Sequence, residues 1–203
     1  MPTEALSFET ATLQITQAIS GATQASPTTA MLHPNGFEKI LLQRRSNGQR
    51  VYLHYWPGPF HGSHIHGHNW DFTSVVLLGS LTNEIFTVSA EPTSEGSIRV
   101  RRMWHQGTSE PLANDPEQFS TAVRAVAAAD YHPRDTYSQR AEVLHRVRSV
   151  ACTATVVLRE APRHTRSPVL LTQADLERRW RAAEPLPLSH VLRRLHQIAE
   201  RLT

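Results

Sequence analysis

The sequence predicts an all-β fold, an antiparallel sandwich or barrel of jelly-roll type, and three observations predict it. From Phe37 onward the chain breaks into about eight short runs rich in Val, Ile, Leu, Thr and aromatic residues. Turn residues space these runs, among them Asn47-Gly48. No helical period appears between them until Pro168, after which the apolar spacing changes.

The elements follow in order. Residues 1–20 can hold a short helix on the scattered apolar positions Leu6, Leu13 and Ile19, and Ser20 to Ala30 reads as a small, polar linker broken by Pro27. Phe37 to Gln43 and Arg50 to Trp56 flank Ser46-Asn47-Gly48-Gln49, where Asn-Gly supplies the positive φ angles of a hairpin turn. Further strands are expected over Phe72 to Leu78, Leu81 to Ala90, Ser97 to Trp104, Phe119 to Ala127, Glu142 to Val147 and Val150 to Arg159. Beyond Pro168, Thr172 can cap a helix over Gln173 to Ala183. Ser189 can cap a second, with Val191, Leu192, Leu195, Ile198 and Leu202 as its apolar stripe. The expected organisation is an N-terminal arm over 1–36, a barrel over 37–168 and a helical extension over 169–203. The two helices would cover the barrel or a second subunit, as in a homodimer.

Composition excludes several classes. The 203 residues are enough for one domain burying roughly 70% of its unfolded surface. With 39% hydrophobic and 19% charged residues the chain is not disordered, and apolar runs such as Val75 to Leu78 are far too short to span a bilayer. The first residues carry Glu4 and Glu9 and no basic-then-apolar segment, and Cys152 is a lone cysteine, so a cytoplasmic protein without a disulfide is expected. The net charge of +3 rests on 20 dispersed arginines and a single lysine, Lys39, a distribution unlike a nucleic-acid surface.

The 12 histidines are more informative, because four fall between positions 61 and 68. On an extended chain His64, His66 and His68 point to one side, and two imidazoles at that spacing can bind one metal. Of the face Arg50, Tyr52, His54 and Trp56, the pattern alone leaves open whether it lines a pocket or forms the exterior.

His66-x-His68, followed by Phe72 and then Gly79, resembles the first motif of the cupin superfamily, with Phe72 in the place of its Glu. The register one pair earlier, His64 and His66 with Asp71 as carboxylate, misplaces Gly79 by one residue. An all-imidazole site marks the thiol dioxygenase branch. The run Trp56 to His68, the segment Gly79 to Phe86 and Leu144-His145-Arg146-Val147 are similar to three motifs of cysteine dioxygenases, in the same order. The resemblance implies a cupin jelly-roll in which His66, His68 and His145 hold Fe(II), or alternatively Zn, Ni or Mn, with O2 and a small polar thiol or amino-acid-like molecule as reactants. His132, in Tyr131-His132-Pro133, is the alternative third ligand, but it precedes a proline in an expected turn and reads as structural. Asp71, Asn69 and His64 would support the ligating rings, and Lys39, Arg50, His54 and Tyr137 would contact the substrate. Lys39 stands where the family keeps an Arg for the substrate carboxylate. The family's His-x-Tyr pair is missing at Val157 to Glu160, which argues against cysteine itself as the substrate. A Lewis-acid isomerase, lyase or hydrolase, and a ligand-binding cupin without catalysis, are the rival functions.

Overall fold

In the strand Arg50–Trp56, Val51, Leu53 and Tyr55 face an apolar core, while Arg50, Tyr52, His54 and Trp56 face a cavity. Successive side chains of an extended chain alternate between faces, so one segment serves both. That face lines a pocket and is not the exterior.

The computed structural model describes residues 6–22, 29–62, 64–89, 96–105, 120–172, 174–175 and 182–203. Its elements are α1 (Phe8–Ala22), β1 (Ala30–Leu32), β2 (Glu38–Arg44), β3 (Arg50–Trp56), β4 (Ile65–His66), β5 (Phe72–Leu78), β6 (Leu81–Val88), β7 (Ile98–His105), β8 (Ser120–Tyr131), β9 (Thr136–Gln139), β10 (Leu144–Ser149), β11 (Thr153–Arg159), β12 (Ser167–Leu171), β13 (Glu184–Pro185) and α2 (Leu188–Leu202). Seven strands form an antiparallel sheet in the order β13-β1-β2-β3-β11-β5-β9, and six close into a ring, β10-β4-β12-β7-β8-β6. This is the antiparallel barrel architecture that the sequence predicts. Gly79 passes the chain from the sheet to the ring at φ +69°, and a Cβ there would stand 2.8 Å from Thr153 Cα, so the turn requires glycine.

The core has separate parts. Ala11 and Ile15 of α1 and Val191, Leu195 and Ile198 of α2 pack with Ile40, Leu53, Val75 and Val156 on one face of the sheet. The ring is filled by Ile65, Phe86, Val100, Val123 and Leu170. Because Ile65 and Leu170 point inward, their neighbours His66 and Val169 point out of the ring toward the sheet's other face. Between sheet and ring lies a cavity of about 450 Å³.

Several expectations are corrected. Ser167–Leu171 is a strand, so the β-structure runs past Pro168, and β1 and β13 add sheet strands from outside the expected barrel range. Thr172 and Asp175 exchange hydrogen bonds, Asp175 N–H to Thr172 Oγ1 at 3.2 Å and Thr172 N–H to Asp175 Oδ2 at 2.9 Å, a capping box where the first helix was expected. The rest of that helix falls largely outside the described residues. Ser189 is not a cap. The final helix begins at Leu188 behind Pro187, whose missing N–H costs nothing at a helix start. Residues 1–20 do contain a helix, and it is docked on the sheet through β2 and β5. No helix among the described residues is long and apolar enough to cross a membrane.

Candidate metal centre

His66 at the end of β4 is the cross-strand partner of His145 in β10 and of Val169 in β12. His68 follows on the same side, its N–H donating to Ala141 O at 2.9 Å. One ligand nitrogen from each of the three rings lies within 4.8 Å of the others, and Nε2 of His68 is 3.0 Å from Nε2 of His145.

Hydrogen bonds set which nitrogens face the centre. His66 Nδ1 lies 2.8 Å from the carbonyl oxygen of His64, which can only accept, so Nδ1 carries the proton and Nε2 the lone pair. His145 Nδ1 lies 2.8 Å from Asn83 Oδ1. Asn83 in turn donates through Nδ2 to Gln139 Oε1 at 2.9 Å, and Gln139 donates to the Val143 carbonyl. That last carbonyl fixes both amides, and with them the protonation of His145, because it has nothing to donate. Burial, reinforced by the neighbouring His66, pushes the pKa of His68 and of His145 well below the usual histidine value. Both rings are therefore neutral at pH 7, the form a metal binds.

This donor set fits a divalent metal. Two nitrogens bonded at about 2.1 Å to one ion, at a right angle, stand about 3.0 Å apart, as His68 and His145 do. Phe72, in the motif's carboxylate place, presents a ring 5.1 Å from His68 and 5.9 Å from His145, and among the described residues no acid joins the set.

Other expectations fare differently. Asp71 bonds no imidazole: it accepts the Ala141 N–H at 2.9 Å and pairs with Arg163, because the odd position points away from the side that His68 and Trp70 share. It acts at one remove, through the residue whose carbonyl holds His68. His64 supports His66 with its carbonyl, while its ring lies 3.7 Å from Asp175. The cluster of His66, His68 and His145 includes neither His64 nor Asp71, which disfavours the earlier register. Asn69 donates to His164 O and not to a ligating ring. His132 is an exposed turn residue bonded to Asp135. Of the other histidines, His164 and His196 are exposed, and His190 donates to Glu38 at 2.9 Å.

Lys39, Arg50, His54 and Tyr137 all line the cavity. Burial, with Arg159 and Arg50 nearby, pushes the Lys39 ammonium down to about 8, and its Nζ sits 4.6 Å over the Tyr52 ring. Burial and the charge of Lys39 keep His54 neutral, and its Nε2 is buried without a protein partner, as is Trp56 Nε1. Burial raises the Tyr137 hydroxyl to about 12. Sequence reasoning missed Asn83, Gln139, Trp70, Arg44 and Arg159. Arg44 and Arg159 are the cross-strand partners of Arg50 on its two sides, a register that no local signal reveals.

Fold and site together define an antiparallel β-barrel with a three-histidine centre able to hold a divalent metal. No protein-family model and no curated protein matches the chain. Among solved structures it is similar to oxalate decarboxylase from Bacillus subtilis, at 11% identity over 74% of this chain and 31% of that one, with a TM-score of 0.42. It is also similar to hydroquinone 1,2-dioxygenase PnpCD in complex with Cd2+ and 4-hydroxybenzonitrile, at 10% identity over 79% of each chain, with a TM-score of 0.39. A third likeness is to DMSP lyase, at 16% identity over 63% of this chain and 48% of that one, with a TM-score of 0.36. The chain thus spans under a third of the oxalate decarboxylase.

Proposed function

We propose that the protein is an O2-dependent cupin oxygenase that holds Fe(II) through His66, His68 and His145 and acts on an organic anion, a thiol or an amino-acid-like compound. One observation carries this reading: three imidazoles, those of His68 and His145 kept neutral by burial, converge on a cavity whose described lining contains no Asp or Glu. A centre of that kind keeps the full charge of its ion and favours an anionic ligand beside it. When bound, the ion would supply open positions for both reactants and the redox chemistry with O2.

The chain's own residues orient and shield. Asn83 and Gln139 hold the His145 ring in one tautomer. His54 Nε2 and Trp56 Nε1 offer polar contacts to a bound molecule, and Lys39 offers its positive charge. Phe37, Phe60 and Phe72 keep the walls apolar, which strengthens each of those contacts.

The test is O2 uptake by the Fe(II)-reconstituted protein against a panel of thiols, amino acids and phenols. Uptake that requires iron supports the reading. Turnover under strict anaerobiosis, or with Zn(II) alone, overturns it in favour of a Lewis-acid isomerase or hydrolase.

A further inference from the structure

Arg44, Arg50 and Arg159 stand side by side on β2, β3 and β11 as direct cross-strand partners, and all three line the cavity. Like charges opposed across a sheet destabilise it, and no carboxylate pairs with any of them among the described residues. Lys39 adds a fourth cation to the same lining. Two of these cations lie over aromatic rings, the Arg159 guanidinium 3.7 Å over Trp70 and the Lys39 ammonium 4.6 Å over Tyr52, and Arg50 donates to the Tyr52 hydroxyl at 3.5 Å. A π face stabilises a cation without using its N–H donors, and Arg159 Nε is buried with no partner.

Trp70 links the two ends. Its ring lies 3.7 Å from the Arg159 guanidinium and 5.3 Å from the His68 ring. A molecule anchored on Arg159 and reacting at the three imidazoles therefore passes beside this indole. The cavity, at about 450 Å³, falls within the ~300–1,000 Å³ of clefts that hold drug-sized ligands.

We propose that the arginine row recognises the oxyanion group of an organic acid larger than a free amino acid, whose apolar body lies along Trp70 and Tyr52 and whose reactive end meets His66, His68 and His145. Guanidinium forks match carboxylate and phosphate oxygens in pairs, and the apolar wall reads the body between the two ends. This assignment rests on the oxygenase reading only for what happens at the reactive end.

Calorimetric titration of the full chain as purified tests it, with benzoate, phenyl phosphate, benzamide, acetate and inorganic phosphate as probes. Benzoate or phenyl phosphate should bind at least tenfold tighter than benzamide and than either small anion, and which of the two is tighter names the oxyanion. Arg159→Met should lose tenfold or more of that affinity, and Arg159→Lys should lose less. Arg50→Met, checked with the others for an unchanged melting profile, repeats the test from the neighbouring strand. Equal binding of benzamide and benzoate, equal binding of acetate and benzoate, or affinity unchanged in both methionine variants overturns the proposal. Metal content of the same samples separates the two readings. Protein that retains no iron after Fe(II) reconstitution yet binds benzoate through Arg159 keeps this inference and loses the oxygenase, whereas iron-loaded protein indifferent to Arg159 does the reverse.

Discussion

Asn83 Oδ1 accepts the Nδ1–H of His145 at 2.8 Å, and this buried bond aims the opposite nitrogen of the ring at His68. Replacing Asn83 with Leu keeps the volume and removes the acceptor. Metal affinity should fall about 10–100-fold, measured by competition with a chromogenic chelator, and Gln139→Leu should give a smaller loss because it only loosens Asn83.

Alanine at His66, His68 or His145 should remove most of the bound metal while the far-ultraviolet dichroism stays unchanged, since the apolar clusters do not include these rings. His64→Ala and His132→Ala should keep the metal. Elemental analysis of the five proteins decides, and metal retained in the His145 variant would refute the assignment.

Lys39→Met should stabilise the ligand-free protein at pH 7. The folded ammonium titrates near 8 against an ordinary 10.5, so folding is penalised while the lysine is charged. Between those two values the unfolded chain binds the additional proton, and stability rises with pH. The methionine variant should lose that slope and melt several degrees higher at pH 7, on a scale of about 2–4 °C per kcal/mol. The same change should weaken binding of an anionic probe.

Glu38 ties helix α2 to the sheet, accepting from His190 at 2.9 Å and from Arg194 at 2.8 Å. Burial alone would raise its pKa, but the bonds from Arg194 and His190 outweigh burial and leave it lowered. Its stabilisation is therefore complete above the unfolded carboxylate value, about 4.3, and is lost as the pH falls through the folded one. Glu38→Ala strands the Arg194 charge and should cost about 3–5 kcal/mol in denaturant unfolding at pH 7.

What the sequence made legible was what lies close together along it. His66 and His68 announce themselves by spacing, Arg50–Trp56 and Phe72–Leu78 by apolar content, and Gly79 by its motif. What was hidden depends on pairing between distant segments. Asn83 meets a histidine 62 residues away, and the arginine row exists only once β2, β3 and β11 are in register. β4 is two residues long, too short for any period, and Pro168 looked like a boundary because a proline seldom sits inside a strand. Asp71 shows the same limit, because proximity in sequence to His68 says nothing of which way a side chain points.

The alternation along β3 has an evolutionary consequence. Positions 51, 53 and 55 pack into the apolar core and positions 50, 52 and 54 face only the cavity, while Trp56 also packs with Phe37, Val76 and Val147. Substrate preference can drift at positions 50, 52 and 54 while the odd ones stay constant, so descendants of one ancestor could diverge in chemistry without first becoming unstable. A library randomised only at positions 50, 52 and 54 would sample new specificities on an intact scaffold.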